Sequence, residues 1–142
     1  ERIIRGNLTS AVSILTLCAN HLLAGGGGFL IALTSVAGER GRQSNYLYGA
    51  AKGGLDIFLQ GLRNRCHAGG VRVITIRPGF LDTAMTYGLP GLFLVASPEY
   101  AARKIVGALR RPGDIRYVPW FWRPIMLVIR LIPEVLFKRM RL

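Results

Sequence analysis

Apolar residues recur at three- and four-residue steps near the start of the chain, at Ile4, Leu8, Val12, Leu15, Ala19 and Leu22. That period predicts a helix over 3–23 with one apolar face. Gly25 to Gly28 end it, and the continuous apolar run Phe29 to Ser35 reads as a strand buried on both faces. A polar loop at 38–45 leads into a second helix, 46–66, closed by Gly69-Gly70. The β-branched run Val71 to Ile76 predicts the next strand, ending at Pro78-Gly79, and 80–96 reads as an irregular loop. Ser97-Pro98-Glu99 announces a third helix: a capping Ser, Pro at the first helical position and an acid on the positive end of the helix dipole. Pro112-Gly113 stops it, and Arg116 to Val118 can form a short last strand. Helices alternating with strands predict an α/β fold, a parallel sheet with helices on both faces.

Composition changes one part of this picture. The 142 residues suit one modest domain, 51% of them are hydrophobic, and the formal net charge is +12. A disordered basic tail would be polar, but the mean hydropathy here is +0.34. Residues 1–100 carry nine basic and five acidic side chains, and 101–142 carry ten and two. Most of the charge therefore lies in the last third, beside the most hydrophobic stretch. Cys18 and Cys66 are too few and too far apart for a disulfide framework or zinc site and read as free thiols. His21 and His67 read as surface residues, and no signal peptide is visible.

The chemistry centres on YGAAK. Tyr48 and Lys52 are four residues apart on a predicted helix, so they share a face. A nearby ammonium favours the phenolate, so the pair is a workable acid and base. Tyr46 lacks such a partner. Ser35 ends the first strand, where open parallel sheets place their ligand crevice. Asn7 lies in the first helix, and Thr83 follows Pro78-Gly79. The Gly25–Gly28 run follows a helix and precedes a strand, the wrong order for a dinucleotide fingerprint.

Taken together, TSVAG at 34–38, the Ser35-to-Tyr48 spacing, YGAAK at 48–52 and RPGFLDT at 77–83 resemble, in order, the motifs of the short-chain dehydrogenases/reductases. The resemblance implies the C-terminal part of a Rossmann-like, doubly wound, three-layer αβα sandwich. It implies an oxidoreductase transferring hydride between NADP or NAD and a carbonyl or alcohol. Tyr48 would be the general acid, and Lys52 would lower its pKa and hold the nicotinamide ribose. Ser35 would polarise the substrate oxygen, and Asn7 would keep a water linked to Lys52. Pro78, Gly79 and Thr83 would line the nicotinamide, alongside Tyr48 and Lys52. The family's glycine-rich phosphate loop has no counterpart in this sequence. The expectation is that residues 1–118 are the C-terminal half of such a domain, and that these residues alone neither bind dinucleotide tightly nor turn over.

The tail, 119–142, reads PWFWRPIMLVIRLIPEVLFKRMRL. Arg123, Arg130, Glu134, Lys138 and Arg141 fall on one stripe of a helix, and most other positions are apolar or aromatic. No uninterrupted apolar run there approaches the ~20 residues that span a bilayer. This predicts an amphipathic helix lying in the membrane interface, at the cytoplasmic face, with Pro124 at its start and a kink at Pro133. The competing reading packs the tail on the protein's own substrate cleft or on a second subunit of a homo-oligomer. The tail and the short segment before it also resemble the family branch that includes the reductase acting on decaprenylphosphoryl 2-keto-pentose, which implies a hydrophobic or lipid-linked substrate. An epimerase of the extended branch needs a large substrate domain, and only 63 residues follow Gly79. An inactive, membrane-associated module stays open. Nucleic acid is not expected as a partner: basic residues alternating with bulky aliphatics make no stacking platform or recognition helix.

Overall fold

The computed structural model describes residues 1–84, 86, 88 and 93–140. Helix α1 spans Arg2–Ala24, and Arg5–Thr9 within it forms a π turn. Strand β1 is Gly28–Leu33, followed by a tight 3-10 turn at Val36–Gly38. Helix α2 is Tyr46–His67, β2 is Val71–Pro78, α3 is Pro98–Ala108 and β3 is Ile115–Val118. The tail forms α4, Trp122–Leu131, and a short α5, Glu134–Phe137.

The strands form a parallel sheet in the order β1-β2-β3. Gly28 pairs with Val71 and Leu33 with Ile76; on the other side Thr75 pairs with Ile115 and Pro78 with Val118. Alternation along β2 sends Val73 towards α1 and α2, and Ile74 and Ile76 towards α3. The first core joins Leu30, Ala32, Val71 and Val73 to Ala19, Leu55, Leu59, Leu62 and Cys66. The second joins Ile74, Ile76 and Val118 to Ala101 and Ala108. Helices on both faces of a parallel sheet are the predicted three-layer α/β arrangement.

The sequence expectation departs from the structure in three places. The first strand stops at Leu33 rather than Ser35, because the chain leaves the sheet at Thr34 to enter the 3-10 turn that Ser35 caps. That strand is not buried on both faces. Leu30 and Ala32 are buried, whereas Phe29 and Leu33 stay exposed, since α3 reaches only Ile31 on that side. Finally, the tail is two helices, not one. Pro133 cannot donate to an α-helical ladder, and the preceding Ile132 is extended.

Two contacts fix how α2 sits on the sheet. Gly49 and Gly53 face the 3-10 turn, where a Cβ on either would lie 2.8 Å from a carbonyl oxygen, that of Ala37 and of Gly38 respectively. Their bare backbones let the helix touch the turn directly. Further along, Asp56 meets Arg77 of β2 in a bidentate pair, Nε to Oδ1 at 3.0 Å and Nη2 to Oδ2 at 2.5 Å. Arg77 also donates to the Tyr117 hydroxyl at 2.7 Å and lies 3.6 Å from Glu39. Burial works against its charge, but the hydrogen bonds and field of Asp56 outweigh burial and hold its pKa above the usual guanidinium value.

Asp56→Ala should destabilise the fold by about 3 kcal/mol, the lower end of the range for a buried charge stripped of its partner, since Glu39 remains. Gly53→Ala should cost about 1–3 kcal/mol by overpacking. Urea midpoints at neutral pH measure both; a shift under a few tenths of a kcal/mol in either variant contradicts the corresponding contact.

Candidate active site

Ser35, Tyr48 and Lys52 converge at the C-terminal end of β1. Ser35 has extended backbone and caps the 3-10 turn, its Oγ accepting from the Ala37 N–H at 3.1 Å. The same hydroxyl lies near enough to the Tyr48 phenol to favour its ionised form. Tyr48 stands in the first turn of α2, held at this distance by the Gly49 contact. Lys52, one turn on, donates from Nζ to the Leu33 carbonyl at 3.1 Å and lies 5.7 Å from the Tyr48 ring centroid. Tyr48 and Lys52 sit on α2, and Ser35 is held at the strand end by the turn it caps.

The electrostatics differ from the sequence expectation. Burial pushes the Tyr48 phenol above its ordinary value, and the Ser35 hydroxyl opposes this without reversing it. Burial also lowers the Lys52 pKa. Nζ is committed to the Leu33 carbonyl and approaches the ring rather than engaging the phenol oxygen, so the expected lowering by Lys52 does not dominate here.

Asn7 lies inside the π turn, with its side-chain amide donating to the Ile3 carbonyl at 3.1 Å. Such single turns are frequent at functional sites. Asn7 and Lys52 line one cavity of about 250 Å³ against Ala32 and Leu33. The structure therefore brings Asn7 to the Lys52 side of the site.

At the end of β2, the Gly79 N–H donates to the Val118 carbonyl at 3.0 Å. A Cβ on Gly79 would overlap the Trp122 indole. That hydrogen of Gly79 thus faces the tail, and only its backbone remains to line a cofactor. Pro78 is half-buried beside it. Thr83 is exposed, with its N–H donating to Thr86 Oγ1 at 3.0 Å in a turn that Thr86 closes. Met85, Tyr87 and 89–92 of the expected loop lie outside the described residues.

The tail covers the site from one side. Trp122, 2% exposed, packs with Val36, Met126 and Phe80, and touches Phe80 and Phe93 ring to ring. Its indole Nε1 is buried with no hydrogen-bond partner among the described residues. Arg130 lies 3.5 Å from Glu39, and Arg40 pairs with Glu134 at 2.7 Å while stacking on Phe137. At its centre the charge stripe pairs with the segment after Ser35, Arg130 with Glu39 and Glu134 with Arg40, while Arg130 and Glu134 themselves stay exposed. The tail is docked on the domain, and its outward side is apolar: Leu127, Val128, Leu131, Val135 and Leu136. Sequence reasoning missed Glu39, Arg40, Asp56 and Trp122. Only Gly49 and Gly53, each one residue after Tyr48 or Lys52, were a local signal.

Comparison with known proteins agrees with this geometry. The short chain dehydrogenase profile matches residues 1–90. An uncharacterized oxidoreductase of Mycobacterium tuberculosis is 38% identical over 97% of this chain and 55% of its own length. One from Streptomyces coelicolor is 38% identical over 98% and 55%. A short chain dehydrogenase from Burkholderia cenocepacia, crystallised with NADP, superimposes with a TM-score of 0.83 at 21% identity, over 96% of this chain and 56% of that one. The chain spans about half the length of the curated relatives it matches. With the motifs in order, the parallel sheet and a matching family profile over most of its length, this chain belongs to the short chain dehydrogenase family.

Proposed function

We propose that this chain supplies the proton-transfer and substrate-orienting groups of an NAD(P)-dependent oxidoreductase. Its substrate is a hydrophobic or lipid-linked carbonyl or alcohol, met at a membrane surface. The observation that carries the reading is the convergence of Ser35 and Tyr48, with Lys52 one turn behind and bonded to the Leu33 carbonyl, at the C-terminal end of a parallel strand. Polar groups at the ends of β1 and β2 suit a dinucleotide's nicotinamide end: Lys52, Tyr48 and Thr83 would hold it beside the backbone of Pro78 and Gly79. When bound, the nicotinamide supplies or accepts the hydride.

The residues of the chain do the rest. Ser35 orients the substrate oxygen next to the Tyr48 hydroxyl. Tyr48 gives its proton to that oxygen as the carbonyl becomes an alcohol, and takes it back in the reverse direction. A raised pKa keeps the phenol protonated at neutral pH, the state an acid needs. Loss of that proton leaves a phenolate near the Lys52 ammonium, which steadies it. Asn7, across the small cavity, is placed to hold a water against Lys52. The aromatic surface of Phe80 and Phe93, backed by the buried Trp122, supports an apolar substrate. The outward apolar side of the tail supports a position in the membrane interface.

In the complete gene product, Tyr48→Phe should cut NADPH-dependent reduction of a hydrophobic ketone by about 10²–10⁴-fold. NADPH binding, followed by its fluorescence, should persist. A variant retaining most of its rate would overturn the assignment. Wild-type reduction should stay level through neutral pH and decline only above about pH 10, where the raised phenol begins to ionise. For the tail, Leu127→Ser with Leu131→Ser removes apolar surface while leaving the buried Trp122, Met126 and Phe137 in place. Flotation with liposomes should drop sharply in this variant with unchanged circular dichroism; equal flotation would sink the membrane reading.

A further inference from the structure

We propose that the groove between α3 and β3 is a docking site for the phosphate headgroup of an anionic membrane lipid. The proposal rests on the membrane reading above, but it concerns a surface of the domain outside the tail helices and opposite α1 and α2.

The groove has a volume of about 650 Å³, and its cationic lining is Arg103, Lys104, Arg111 and Arg116, with Tyr100 and Trp120 as aromatic walls. No acid lines it. The nearby acids are engaged elsewhere: Asp114 with Arg63 and Arg72, Glu39 with Arg77 and Arg130, Glu134 with Arg40. Glu99, one turn before Arg103 on α3, sets a negative charge against the cluster. Arg116 is the link between this groove and its neighbour. Its Nη2 donates to the Pro112 carbonyl, while its Nε is buried with no partner among the described residues. It also lines a second cavity, of about 530 Å³, together with Arg123, Leu127 and Glu39, whose charge is taken up by Arg77 and Arg130. The cationic surface therefore runs from α3 past Arg116 to Arg123, and it is bordered by Trp120, 72% exposed, and by exposed Leu127.

A cation cluster with an apolar and aromatic border matches the chemistry of a lipid headgroup. The phosphate meets guanidinium groups, which hold it through charge-assisted, often bidentate hydrogen bonds. Tryptophan at the boundary sits at headgroup level, and the neighbouring apolar residues reach the acyl region. A second copy of this chain would meet the groove with like charge. A nucleic acid would gain nothing from Leu127 and the apolar side of α4 beyond it.

The test is partition of the protein into vesicles of phosphatidylcholine alone, and of phosphatidylcholine mixed with phosphatidylglycerol. Three forms are compared: wild type, the exposed triple variant R103Q/K104Q/R111Q, and Leu127→Ser with Leu131→Ser. Wild type should favour the anionic vesicles by about tenfold or more, as expected of several cations at an anionic surface. The triple variant should lose that preference and keep its partition into phosphatidylcholine; the tail variant should lose the latter. A triple variant that keeps the preference overturns the headgroup site and leaves the membrane reading standing. Wild type that partitions into neither vesicle overturns the membrane reading itself. Release from anionic vesicles by RNA, but not by an equal charge of inorganic phosphate, would assign the groove to nucleic acid and also overturn the proposal.

Discussion

Arg77 carries a full charge at a position only 9% exposed, and four elements are arranged around keeping it satisfied. Asp56 reaches it from α2, Tyr117 from β3 and Glu39 from the segment after Ser35, while Arg77 itself belongs to β2. Tyr117 in turn donates to Glu39 at 3.0 Å, and burial raises its pKa, so the hydroxyl stays a donor. An ion buried this far is costly unless every partner is in place. The arrangement thus couples the seating of α2, which carries Tyr48 and Lys52, to the seating of the turn that carries Ser35. The relative placement of the site's three polar groups is a by-product of neutralising one arginine.

The same node extends to the tail. Arg130 shares Glu39 with Arg77, and the neighbouring Arg40 holds Glu134 and the carbonyls of Arg130 and Ile132. Charged groups that a free amphipathic helix would offer to water are used as anchors to the domain. The helix keeps Trp122 and Met126 inside and leaves its aliphatic side outside. Anchoring and apolar exposure are therefore two sides of one helix, and a membrane or protein partner on the outer side would not need to break the inner contacts.

Much of this was legible in the residues. Element order followed from hydrophobic period and from the caps, and Ser97-Pro98 sits at the start of α3 as its chemistry requires, with Ser97 accepting from the Tyr100 N–H. Ser35, Tyr48 and Lys52 could be found because their relation is local or fixed by one strand-to-helix connection. Arg77, Asp56 and Glu39 could not: they meet across separations of 21 and 38 residues, and no periodicity encodes which buried ions will pair. The π turn at Arg5–Thr9 was invisible for a different reason, since one inserted residue shifts the apolar stripe by less than the stripe's own width. The division of the tail was half legible: Pro133 announced a break, but the pairing of Arg130 and Glu134 depended on partners about ninety residues away.

One edge of the sheet has a wider bearing. Strand β1 pairs with β2 alone among the described residues, and Phe29 and Leu33 lie exposed beside its outer edge. That edge offers a row of backbone donors and acceptors flanked by apolar side chains, which is a template for an incoming backbone. The first backbone to arrive, whether from the same polypeptide or another, completes a hydrogen-bonded ladder and covers those two side chains in one step. Folding yield for this chain is then a race between partners for a single vacancy, decided by local concentration rather than by the strength of its own core.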